Sequence, residues 1–285
     1  MAKTTQIEWC DSSVNPEIGC DGCELWRVNP KEPNRSVLLC YAGKLTEQYA
    51  GLPGWPVNFT TPKIFPGRVE DAAKWSDLTG KDRPNKPWLD TWPRVIFVGD
   101  MGDLFTESLP LDWLSPLIPV MAASPHIWLM LTKRATRMRD FWKMYGKVPH
   151  NIWLGTSVTS ASNLARLKYL QEIKARTRFV SFEPVMSAMP NLWTVIGDVG
   201  SPQWLDWAIV GGLSSSPGFS HPGWIADILA QLDDRGIPTF HKQWGNLKSN
   251  PDKKDPTARE NGGSVKGGRL VFGRELNGMP RMEEL

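Results

Sequence analysis

From residue 95 onward, six short apolar runs recur at a regular interval. They are Val95-Ile96-Phe97-Val98, Ile127-Trp128-Leu129-Met130-Leu131, Ile152-Trp153-Leu154, Arg178-Phe179-Val180-Ser181-Phe182, Trp207-Ala208-Ile209-Val210 and Ile237-Pro238-Thr239-Phe240. Their starts lie about 25–32 residues apart, the length of one strand, one helix and two loops. Runs that are apolar throughout suit strands covered on both faces, as in a parallel sheet. The intervals read as helices. Ala161 to Lys174 puts Leu164, Leu167, Leu170 and Ile173 on one face, and Trp224 to Leu232 does the same with Ile225, Ile228, Leu229 and Leu232. With Gln6-Ile7-Glu8-Trp9 as a first strand the total is about seven. The expected fold class is α/β, an incomplete parallel (β/α) barrel rather than an open sheet.

The length of 285 residues accommodates one such barrel, predicted over 1–247 with a Pro-, Gly- and Trp-rich rim insertion at about 51–94. Residues 248–285 read as an extension, a flexible polar loop from Lys248 to Gly268 followed by a hairpin around Phe272-Gly273. With 41% hydrophobic and 22% charged residues, the composition excludes disordered, collagenous and coiled-coil chains. The most apolar stretch, Leu109 to Ala123, is broken by Pro110, Asp112, Pro116 and Pro119, so no membrane span is expected. The first residues lack a signal-peptide core, which points to the cytoplasm. A net charge of +3 is too mild to imply nucleic-acid binding by itself. The 15 Trp residues favour a large aromatic core over stacking surfaces.

All four cysteines, Cys10, Cys20, Cys23 and Cys40, fall in the first 40 residues. Random placement would do this on the order of 1 time in 2,000, so they form a set. Disulfides suit neither a reducing compartment nor a chain able to bury its own core. A metal centre does, and spacing leaves two kinds open: a zinc site held by all four cysteines, Cys10 included, or a three-cysteine iron–sulfur cluster. In parallel barrels chemistry sits at the C-terminal strand ends. The residues found there are Asp100 and Asp103, Thr132, Lys133 and Arg134, Thr156 and Ser157, Glu183, Gly211 and Gly212, then His241, Lys242 and Gln243. His221 and His241 read as acid–base groups or, more often, as satisfied polar residues. The basic stretch Lys133 to Arg139 reads as a solvated face or a phosphate-binding surface.

Several short motifs occur in order: Ile7-Glu8-Trp9-Cys10-Asp11, Asn15-Pro16, Gly19-Cys20, Cys40-Tyr41-Ala42, Asp103-Leu104-Phe105, Leu131-Thr132-Lys133-Arg134, Trp153-Leu154-Gly155, Phe182-Glu183-Pro184, Ile209-Val210-Gly211-Gly212 and Lys242-Gln243-Trp244-Gly245. Across nearly the whole chain they resemble a phage-borne three-cysteine family of unknown function. That family is similar to radical S-adenosylmethionine (SAM) enzymes of the spore photoproduct lyase type. The resemblance implies a [4Fe–4S] cluster on Cys20, Cys23 and Cys40, with an open iron site for SAM. It implies that Asp100 and Asp103 receive the SAM ammonium group. Thr132, Lys133 and Ser157 would hold its carboxylate or ribose, Tyr41 would pack beside adenine, and Glu183 would lie near ribose or substrate. Cys10, Tyr41, Glu183 and His241 stand as candidate catalytic residues. Implied partners are a nucleobase-containing substrate, nucleotide or DNA, and an electron donor such as flavodoxin or ferredoxin. The expected activity is a radical isomerase or lyase in phage DNA hypermodification, within the host cytoplasm. Thymine-dimer repair and a non-catalytic zinc-stabilised nucleic-acid binder are the alternatives. The cysteine intervals of two and sixteen residues depart from the family's usual six and two, so the long insert must loop out.

Overall fold

Each apolar run forms a strand, and the strands join in chain order. The computed structural model describes residues 1–214, 220–261 and 264–281. Its main sheet contains seven parallel strands: β1 (Ser12–Val14), β2 (Val95–Val98), β3 (Ile127–Thr132), β4 (Ile152–Ser157), β5 (Arg178–Val185), β6 (Trp207–Gly212) and β7 (Thr239–Gln243). Neighbours in the sheet are neighbours in the sequence, the winding expected of an incomplete barrel. The intervening helices are α1 (Tyr41–Gln48), α2 (Arg68–Ala73), α3 (Leu117–Ala123), α4 (Ala135–Tyr145), α5 (Ala165–Gln171), α6 (Trp193–Ile196) and α7 (Pro222–Asp234).

The first strand is not where its pattern placed it. Residues 6–9 form a turn, and Ser12–Val14 pairs with Ile96–Val98 instead. Two serines hid this strand, because a buried hydroxyl needs a partner and here finds one. Ser12 donates to the Lys3 carbonyl at 2.8 Å and accepts from Arg94 at 2.9 Å.

By internal packing the chain divides into two compact units, one of Met1–Arg83 with Leu89–Ile152, the other of Pro84–Trp88 with Trp153–Leu285. In the first unit, Trp128, Phe105 and Phe141 are fully buried, and Ala2 pairs with Ser13 on the outer edge of β1. In the second, Trp153, Trp207, Phe179 and Phe240 form the core, and Asn277 pairs with Phe240 on the outer edge of β7. Covering an edge removes a template for unwanted strand pairing.

Leu270–Val271 pairs with Arg274–Glu275 as a hairpin. Residues 248–258, predicted as flexible, are tied down: Asp255 accepts from Asn250, Thr257 and Leu270, and Lys253 Nζ donates to three carbonyls. Residues 262–263 and 282–285 of the predicted extension lie outside the described residues. Among the described residues no helix is long and apolar enough to cross a membrane.

Candidate functional site

The cysteine loop follows β1, which carries it to the C-terminal end of the first unit's strands. Gly19 bridges to Gly102 beyond β2, and Cys20 donates its backbone N–H to the Phe59 carbonyl. Cys20 and Ala42 are buried with Trp26, Phe59 and Met101, and Cys40 packs against the same cluster. Gly43 is required here, because a Cβ would overlap the Trp26 ring.

The sixteen residues between Cys23 and Cys40 fold back on themselves. Trp26–Arg27 pairs antiparallel with Val37–Leu38, and the backbone N–H groups of Leu39 and Cys40 both donate to the Leu25 carbonyl. The hairpin therefore returns Cys40 beside Leu25, two residues past Cys23. None of the four cysteines is in a disulfide. Burial pushes the Cys20 thiol up to about 12, with Asp103 adding to the shift, and burial also raises Cys23.

Cys20 and Cys40 pack against Trp26, Phe59 and Met101, so their sulfurs are soft donors in partly apolar surroundings. Among the described residues no three His, Cys, Asp or Glu side chains form a group that could hold a metal ion.

Cys10 lies apart from the other three. It is fully buried just before β1, where the Asp11 N–H donates to the Val95 carbonyl at the start of β2. The other cysteines follow the far end of β1, several residues of about 3.3 Å rise away. That separation excludes a zinc site built on all four cysteines, whose sulfurs must each lie about 2.3 Å from one ion.

Around the loop stands a network of charges. Asp103 accepts from Thr132 Oγ1 at 2.6 Å, Phe105 N at 3.0 Å, Lys133 N at 3.1 Å and Arg134 Nη1 at 3.0 Å. Four acceptances fill the capacity of a carboxylate, so Asp103 holds the loop and leaves no lone pair for an ammonium group. Arg134 also donates to the Gly22 carbonyl at 2.8 Å, which fastens the cysteine turn to β3. Asp21 accepts from Thr106, Glu107 and Ser108; burial pushes its carboxyl up, but these bonds outweigh it and hold it below the usual range.

Sequence reasoning missed Glu17. It is fully buried, and neither carboxylate oxygen has a hydrogen-bond partner among the described residues. Burial, then Asp103 and Asp100, push its carboxyl well above the ordinary value. A Cβ at Gly102 would overlap this carboxylate, so the glycine makes room for it. Its place after Asn15-Pro16 was the available signal. Asp100 is likewise raised by burial and has one buried oxygen without a partner. Tyr41 donates its hydroxyl to the Asp100 carbonyl while its ring stays exposed.

The basic stretch is engaged in structure. Arg134 pairs with Asp103, Arg137 donates to the Phe105 and Leu109 carbonyls, and Arg139 pairs with Asp140.

In the second unit, Ser157 ends β4 opposite Ser181 and is buried. Lys242 Nζ donates to Glu183 Oε1. His241 is fully buried against Trp244, with ring centroids 5.0 Å apart. Burial, aided by Arg269, lowers it to about 3, so it is a neutral core group rather than an acid–base catalyst near neutral pH. His221 caps α7 by accepting from Gly223 N.

No curated protein and no solved structure matches the chain. A family model described as "Protein of unknown function (DUF5131)" matches residues 4–280. The match spans nearly all of the sequence, and the chain belongs to that family.

Proposed function

We propose that this protein is a radical SAM enzyme acting on a nucleobase. The supporting observation is the return of Cys40 beside Leu25, two residues past Cys23, in a unit that also buries the carboxyls of Glu17 and Asp103. Cys20, Cys23 and Cys40 would hold a [4Fe–4S] cluster. The chemistry such a group would supply there is the reductive cleavage of SAM that starts a radical reaction on a substrate C–H bond.

The chain's own residues do the rest. Arg134 locks the cysteine turn, through Gly22, to the residue pair Asp103 and Thr132. The buried thiols release their protons as the cluster is loaded, so assembly is favoured by higher pH. Asp100 would offer an oxygen for the SAM ammonium group, beside the buried Glu17 carboxyl. Trp26, Phe59 and Met101 limit water at the thiols. A modified base in phage DNA is the substrate that the family likeness favours, with isomerisation or bond cleavage as the reaction.

Anaerobic purification with iron and sulfide counts, then dithionite and SAM, tests this reading. About four irons with release of 5′-deoxyadenosine is the expected outcome. A colourless protein that yields no 5′-deoxyadenosine after iron–sulfide reconstitution would overturn it.

A further inference from the structure

The two half-buried thiols, Cys23 and Cys40, leave the same end of one hairpin. Its ladder pairs Trp26 with Leu38 and Arg27 with Val37, and one step further out Leu39 donates to the Leu25 carbonyl. Cys40 follows at once and donates its backbone N–H to that same carbonyl at 3.0 Å. From the other strand, Cys23 turns back through paired backbone bonds with Trp26, and its sulfur accepts from the Leu25 N–H at 3.4 Å. The backbone of one residue thus holds both cysteines, with sixteen residues of chain between them. Gly22 permits the turn, since a Cβ there would lie 2.4 Å from the Trp26 carbonyl oxygen.

Burial sets the other two thiols apart. Cys10 is fully buried before β1, and Cys20 is 6% exposed. Burial pushes the Cys20 thiol up to about 12, so hardly any of it is thiolate near neutral pH, and the thiolate is the nucleophile. Burial also raises the Cys23 thiol; the Lys133 ammonium opposes that rise, and Glu24 and Cys40 add to it. An influence of Cys40 on Cys23 fades with distance, so it requires the two side chains to be near one another. The Cys40 side chain makes no capping bond to α1, which it precedes, so its sulfur is not committed there.

We propose that Cys23 and Cys40 form a thiol switch, joined as a disulfide by an oxidant of the peroxide class and parted by a dithiol reductant. In a reducing compartment such a bond is transient and redox-sensing rather than structural. Peroxide oxidises one of the two thiols to a sulfenic acid; its O–O bond breaks and one water leaves. The second thiol attacks that sulfur, the S–S bond forms, the S–O bond breaks and a second water leaves. In sum the two thiols give up two electrons and two protons, and the peroxide takes them all. The bridge stands on the hairpin alone. Its consequence rests on the function proposed above: with Cys23 tied to Cys40, two of the three proposed ligands are withheld. An oxidised chain then stays unloaded until a dithiol reopens it.

The test treats the full chain, freed of metal by a chelator, with a small excess of hydrogen peroxide, then unfolds it, alkylates the free thiols and maps the peptides. Two of the four thiols should remain, Cys10 and Cys20, with a mass about 2 Da lower and one cross-linked pair holding Cys23 and Cys40. Dithiothreitol should return all four. Cys10→Ser and Cys20→Ser should leave the bridge intact, whereas Cys23→Ser and Cys40→Ser should abolish it. The wild-type map decides the pairing even where a variant fails to fold. A bridge to Cys10 or Cys20, or four thiols that survive peroxide, would overturn the proposal. The bridged chain should also take up at least tenfold less iron than the reduced chain, with full recovery after dithiothreitol. Equal uptake by the two would overturn the switch. No uptake by the reduced wild type would instead sink the enzymatic reading, and the peptide map would still decide the bridge.

Discussion

The two units solve the same folding problem and leave different residues at their strand ends. Each buries apolar strands under helices. In the first, Glu17, Asp100, Asp103 and Arg134 crowd around a cysteine turn, and Glu17 keeps both carboxylate oxygens unpaired. In the second, Gln243 and Ser220 bond to backbone, Asp255 ties a loop, and Glu183 is neutralised by Lys242. A buried polar group without a partner costs about 1–3 kcal/mol, so folding alone does not explain Glu17. The exception in the second unit is His241, which stays neutral among Phe240, Trp244 and Arg269. Polar residues at strand ends are thus of two kinds, those that complete the fold and those the fold accommodates at a loss.

The contrast breaks most easily at the cysteines. Alanine at Cys20, Cys23 or Cys40 should lower bound iron at least tenfold, whereas Cys10→Ala should leave it within about twofold, read by iron and sulfide counts. A result in which Cys10 is needed and Cys23 is not would reassign the ligand set. Next comes Arg134→Met, which strands the buried Asp103 and should cost about 3–5 kcal/mol in urea unfolding. The more exposed pair in the second unit should matter less, with Lys242→Met costing about 1 kcal/mol.

Smaller effects sharpen the comparison. Gly102→Ala should cost about 1–3 kcal/mol through overlap with Glu17, and most of the loss should return in the double variant with Glu17→Ala. Additive losses would mean the two do not touch. His241 has a depressed value in the folded state, so its contribution is complete above about 6.5 and is lost as pH falls toward 3. Unfolding free energies from urea titrations should therefore decline on acidification by up to about 1.4 kcal/mol per pH unit through this group, and His241→Gln should remove that part of the slope.

Much of this was readable from the residues. The six apolar runs became β2 to β7, and Leu167, Leu170, Ile225 and Ile228 are buried where helical spacing put them. Periodicity reports burial, so it works wherever burial is the driving force. It failed at β1, because Ser12 and Ser13 satisfy their polar groups inside the protein and give no apolar signal. Around the site the residue types were readable and their assignments were not. Asp103 and Arg134 stood out as polar strand-end residues, yet nothing in a linear order says that one fills its acceptors with the other. Glu17 was invisible for the same reason, since burial of a charge-bearing side chain is a property of its neighbours.

The hairpin that returns Cys40 to Leu25 separates two things that a linear motif keeps together. Because the chain leaves and re-enters at one point, the number of residues in the excursion has little bearing on where the third thiol ends up. Doubling the length of such a loop adds only about 0.6 kcal/mol of closure entropy. Residues 28–36 at its tip are therefore open to insertion, replacement or tagging without moving Cys40 from its place beside Leu25.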